Sequence, residues 1–147
     1  MFKNILIPTD GSVLSLKAIK AGIKLAQSLG AKVTGYYGIT ALQPSAFGDG
    51  DLIDKKMVDK LDQVAQAAGE KYLARIAKAA ATAGVAYTGL VTKTPTAYEG
   101  IIDAAKKNKC DAVFIASRGR SEIKNLLLGS VTQKVLSHSK VPVIVFR

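Results

Sequence analysis

Five short apolar runs punctuate the chain, and a helical pattern fills each interval between them. The runs are Phe2 to Pro8, Ala31 to Ile39, Val85 to Thr92, which alternates, Asp111 to Ala116 and Val141 to Phe146. Strands apolar along their whole length are buried on both faces, and strands that alternate with helices pair in parallel under helical layers. Right-handed crossovers leave few ways to order five such strands. The expectation is an α/β fold, Rossmann-like, with a five-stranded parallel sheet in the order 3-2-1-4-5 and helices on both faces. At 147 residues, 48% of them hydrophobic, the chain has the size and the core material of one domain spanning 1–147.

The intervals carry their own punctuation. Ser12 or Ser15 can cap a first helix whose apolar positions are Leu16, Ile19, Ile23, Ala26 and Leu29, and Gly30 suits the left-handed position after it. Residues 40–50 hold Pro44, Gly48 and Gly50 and read as a loop. Asp51 to Ala83 reads as one long helix, with Leu61, Val64, Ala68, Tyr72, Ile76, Ala79 and Ala83 on its apolar face and Gly84 at its end. Thr96 and Glu99 form a capping box for the next helix, which ends in Lys106, Lys107 and Lys109. A last helix is expected from about Ser130 to Ser137.

With the first strand central, the winding direction switches between strands 1 and 4. Ligands of such sheets bind there, beyond the carboxyl ends of the strands. The loops leaving those ends are Pro8 to Ser12 and Ser117 to Gly129. In the second, Gly119 allows a close backbone approach, and Gly129 and Ser130 stand where a helix begins. Free amides, the helix dipole and a hydroxyl make an anion site there, flanked by Arg118, Arg120 and Lys124. The ordinary alternative is a turn glycine and a capping serine. In the first loop, Asp10 either accepts hydrogen bonds from a ribose hydroxyl or an adenine amino group, or caps the first helix.

The opening residues 3–12, Lys-Asn-Ile-Leu-Ile-Pro-Thr-Asp-Gly-Ser, and the tail from Asp111 through the Ser-Arg-Gly loop to Val-Pro-Val-Ile-Val resemble the universal stress protein family over the full length. Nucleotide-binding members carry a glycine, two residues, a glycine, nine residues, then Gly-Ser or Gly-Thr. Gly119 and Gly129-Ser130 match; the first glycine position holds Ala116. The resemblance implies an adenine nucleotide alpha hydrolase-like fold that binds ATP, with ADP and AMP as further candidates, and a magnesium ion carried by the phosphates. Asp10 would contact the adenosine, and Pro8 and Thr9 would line the base pocket. The backbone of Gly38, after the second strand, would meet adenine. Gly119, Gly129, Ser130 and the Val131 amide would hold phosphates, flanked by Arg118, Arg120 and Ser121. It further implies a homodimer through the last strand, Val141 to Phe146, and a role as a stress-response regulator. The alternative, favoured by Ala116 and Gly38, is a dimer that binds no nucleotide and acts through protein contacts.

The remaining features narrow the classes. No P-loop pattern and no metal-ligand spacing occurs, and the single histidine, His138, lies near a helix end, so no catalytic residue is assigned and at most slow ATP hydrolysis is expected. Cys110 is alone, which excludes an internal disulfide. With no signal segment and no membrane span in view, the expected compartment is the cytoplasm. The net charge of +10 favours polyanions, but the lysines follow no stripe along the sequence and no aromatic series interleaves with them, which argues against nucleic acid.

Overall fold

The computed structural model describes residues 1–41, 55–120 and 127–147. The expected loop at 40–50, the first turn of the long helix, Ser121 and Lys124 therefore fall wholly or largely outside the described residues. Nine elements alternate: β1 (Asn4–Pro8), α1 (Val13–Leu29), β2 (Lys32–Thr40), α2 (Lys55–Thr82), β3 (Tyr87–Thr94), α3 (Ala97–Lys107), β4 (Ala112–Ala116), α4 (Ser130–His138) and β5 (Val143–Phe146). The strands form one parallel sheet in the order β3-β2-β1-β4-β5, as the apolar runs predict.

Side chains alternate across each strand and so feed two cores. Ile5, Ile7, Val33 and Phe114 pack under α1 and α2, against Ile19, Ile23, Leu73 and Ile76. Leu6, Tyr36, Val113 and Ile115 pack under α3 and α4, against Ile101, Ala104 and Val135. At the lower edge of the sheet the Asp111 carboxylate accepts from the Lys3 and Asn4 amides (2.7 and 3.1 Å), which fixes β1 beside β4.

The helix ends follow the local chemistry. Ser12 caps α1 by accepting from the Ser15 amide at 3.2 Å, and Gly30 closes it with φ 65°. Gly84, at φ 67°, follows the end of α2. The Thr96 hydroxyl accepts from the Glu99 amide at 3.4 Å, but the Glu99 carboxylate takes the Thr96 hydroxyl at 2.7 Å rather than the Thr96 amide, so the box closes through side chains.

Several expected bounds shift: β1 begins at Asn4 and not at Phe2, and β5 at Val143 and not at Val141. β3 begins at Tyr87 and not at Val85, because the Val85 amide is spent on the Ala80 carbonyl at the end of α2 (2.9 Å). The buried residues of α2 are Gly69, Leu73, Ile76 and Ala80; Leu61 and Val64 are 40% and 62% exposed. An alanine-rich helix offers several apolar stripes, and the sheet selects one. Gly69 leaves α2 unbroken because its role is packing: a Cβ there would lie 2.5 Å from the Tyr37 ring.

The two faces of α2 should separate cleanly in denaturant titrations. Ile76→Ala, at a site with no exposed surface, is expected to cost about 2–5 kcal/mol, and Val64→Ala no more than about 0.5 kcal/mol. Equal losses would reverse the assignment. The Tyr87 phenol, half-buried and donating to the Leu73 carbonyl at 3.1 Å, is pushed up to about 12 by burial. The unfolded phenol ionises near 10, so the folded state holds the proton more tightly and stability falls as pH rises from about 10 to about 12. Tyr87→Phe should lose less stability over that window.

Candidate functional site

A crevice of about 320 Å³ opens beyond the carboxyl ends of β1 and β4, at the point where the winding direction reverses. Its size is within the range of small-molecule sites. The sequence-predicted residues Pro8, Thr9, Asp10, Gly38, Ala116, Arg118, Gly119, Arg120, Gly129, Ser130 and Val131 all line it. Ser121 lies outside the described residues.

The first loop is held from within. Thr9 is buried; its amide donates to the Tyr36 carbonyl at 2.9 Å, and its hydroxyl meets Ser15 Oγ at 2.7 Å and the Gly11 amide at 3.1 Å. Gly11 needs its glycine twice over: φ is 78°, and a Cβ would sit 2.2 Å from the Tyr72 ring.

Asp10 ties the two loops together. One carboxylate oxygen accepts from the Ser12 amide at 2.9 Å and the other from the Arg120 amide at 2.6 Å, across the crevice edge. The cap of α1 is Ser12, so the capping alternative for Asp10 does not hold. Gly119 is needed for proximity: a Cβ there would lie 2.7 Å from Asp10 Oδ2. The Arg120 side chain turns outward to Tyr72, with Nη2 to Oη at 2.5 Å and the guanidinium 5.7 Å from the ring centroid.

The second loop returns through backbone bonds. The Ser117 amide donates to the Phe146 carbonyl and the Gly129 amide to the Ser117 carbonyl, both at 2.7 Å, and Thr132 Oγ1 donates to the Ala116 carbonyl at 2.9 Å. Gly129, buried, is the N-cap of α4 with no side-chain cap, so Ser130 is the first helical residue and not the cap. The Val131 and Thr132 amides belong to the first turn, where no intrahelical acceptor exists, and none among the described residues accepts from them. This helix end faces the crevice. The Ala116 methyl packs with the α1-side core, while the residue lines the crevice.

Gly38 stands inside β2 and not after it, opposite Thr92 of β3. Peptide groups alternate in direction along a strand. The Tyr36 carbonyl faces β1, where it meets the Thr9 amide, so the Gly38 amide and carbonyl face the same side, past the end of β1 and into the crevice. A Cβ at Gly38 would lie 2.9 Å from Tyr36 Oη and 3.2 Å from Thr94 Cγ2, which accounts for the missing side chain.

The remaining candidates stand apart. His138 is exposed, its Nδ1 2.8 Å from the Lys134 carbonyl and its ring 5.2 Å from Tyr98. Cys110 is buried, and burial pushes its thiol up, away from a reactive thiolate. Among the described residues no group of three His, Cys, Asp or Glu side chains could hold a metal ion, and no helix is long and apolar enough to cross a membrane.

Residues 1–147 match the family model described as the universal stress protein family. The chain belongs to that family. It is 30% identical to universal stress protein MJ0531 of Methanocaldococcus jannaschii over 154 residues, covering all of this chain and 83% of the relative. The solved structure of MJ0577 from the same organism superposes with a TM-score of 0.82 at 25% identity, over 99% of this chain and 95% of that one. Two universal stress proteins share the fold at lower identity. One, solved in complex with cAMP, has a TM-score of 0.70 at 20% identity and covers 99% of this chain and 97% of its own. The other, from Archaeoglobus fulgidus in complex with dAMP, has 0.65 at 16%, covering 99% and 98%.

If Asp10 bridges the loops, Asp10→Asn puts an amide donor where one of two backbone donors needs an acceptor. The expected cost is about 1–2 kcal/mol, a fall in Tm of about 2–6 °C. An unchanged Tm in a thermal scan would show that the bridge contributes nothing.

Proposed function

We propose that residues 1–147, acting as one domain, bind an adenine nucleotide, ATP first, in the crevice at the switch point, and that this family member works as a dimeric stress-response regulator. The observation that carries the reading is the pairing of two unlike features in one crevice. At one side the Gly38 amide and carbonyl offer the donor and acceptor an adenine edge needs. At the other the α4 N-terminus offers the Val131 and Thr132 amides and the positive end of a helix dipole to an anion. Base and phosphates of one nucleotide would use both. Asp10 would reach the ribose, Pro8 and Thr9 would flank the base, and Gly119, Gly129 and Ser130 would let the chain close around the phosphates, with Arg118, Arg120 and Ser121 beside them. Magnesium would come with the phosphates. The complexes of related folds with cAMP and dAMP point to the same ligand class.

The output would be binding and partner choice, with at most slow hydrolysis, because the single histidine does not line the crevice. For the dimer, β5 is the edge strand among the described residues, paired there with β4 alone, and all four of its residues are half-buried apolar side chains. An apolar edge strand is a template for pairing with a second copy. The cytoplasm suits such a regulator.

The second reading, a dimer without nucleotide, draws on Asp10: both its oxygens already hold backbone amides.

Calorimetric titration with ATP and magnesium decides between them. The expected result is a micromolar Kd that Gly129→Val weakens at least tenfold, with the far-UV spectrum unchanged. No heat and no thermal shift with the unaltered protein would leave the second reading standing.

A further inference from the structure

Asp and Glu are missing from residues 11–48 and again from 71–98. Those stretches contain α1 and the packed half of α2, which lie side by side on one face of the sheet. Between them runs an open groove of about 450 Å³. Lys20 and Lys24 of α1 and Arg75 and Lys78 of α2 line it, together with the apolar Ile23 and Ala79. The cations follow no stripe along the sequence; packing two helices together makes one.

None of the four cations has a carboxylate partner among the described residues, and Arg75 lies 5.8 Å from the Tyr72 ring centroid. Four like charges gathered along one groove repel one another, and no carboxylate among the described residues pairs with them. A ligand that brings carboxylates relieves that repulsion and gains attraction. Lys20 and Lys24 are four residues apart, and Arg75 and Lys78 three, so each pair stacks one helical turn apart. A third helix laid between α1 and α2 would present acidic side chains at the same one-turn repeat to both rows, and its apolar stripe to the partly exposed Ala79 and Ala83. A nucleic-acid backbone has no use for an apolar lining, and no aromatic side chain lines the groove for bases to stack on.

We propose that the α1–α2 groove docks an acidic, amphipathic helical segment of a partner protein. This stands apart from the nucleotide crevice and does not depend on it.

The test is fluorescence anisotropy with a labelled amphipathic peptide of about 18 residues, Glu on one face and Leu on the other. Micromolar binding at low salt is expected, and Lys24→Glu with Lys78→Glu should weaken it at least about tenfold. Lys106→Glu with Lys107→Glu makes the same change of charge on α3, across the sheet, and should leave the affinity within about twofold. A matched peptide with Lys in place of Glu should not bind, a readout that needs no protein variant. The proposal is overturned if the acidic peptide does not bind or if both double variants lose affinity equally. It is also overturned if poly-glutamate or single-stranded DNA of equal charge binds as tightly.

Discussion

Ile5, Leu6 and Ile7 of β1 have no exposed surface, which is possible only because two helical layers close over opposite faces of one strand. Ile5 and Ile7 need α1 and α2; Leu6 needs α3 and α4. The chain must therefore cross both faces, and the strands added on either side of β1 must be wound in opposite directions. The crevice is the direct result. Where the winding reverses, the loops after β1 and β4 diverge to opposite faces, and nothing in the sheet itself fills the space between them.

What shapes that space is a small number of polar contacts on rigid supports. The Asp10 carboxylate joins the two loops through the Ser12 and Arg120 amides, and the Ser117 backbone links the strand β5 to the cap of α4. The glycines of the region answer to proximity: Gly11 lies under the Tyr72 ring, Gly119 against Asp10, and Gly38 against Tyr36. A site built in this way offers backbone donors and acceptors in fixed directions, which suits recognition more than proton transfer.

Most of the architecture was legible because the central strands β1 and β4 are nearly continuous buried runs and the helix ends carry Ser12, Gly30, Gly84 and Thr96 in the roles those residues favour. The crevice was legible from topology before any motif, since strand order alone selects the loops after β1 and β4. What stayed hidden depended on which neighbours the chain meets. The alanine-rich α2 carries more than one apolar stripe, and only the sheet decides that Leu73 and not Val64 is buried. The start of β3 turned on a single bond, Val85 amide to Ala80 carbonyl. The basic groove is invisible in one dimension because its two walls come from helices about fifty residues apart in the chain.

The length of α2 has a mechanical side. Its 28 residues span roughly 42 Å, yet its buried residues begin only at Gly69. The part before Gly69 is roughly 20 Å long and carries the exposed Met57, Val58, Leu61 and Val64, and an ion pair from Asp62 to Lys93 ties it to β3. Gly69 lies beneath Tyr37, whose ring is 5.7 Å from that of Tyr72, the tyrosine that holds Arg120 of the crevice loop. The packed part of α2 thus begins on Tyr37, and through Tyr72 the same aromatic pair meets Arg120, so the long helix and the crevice loop share one support.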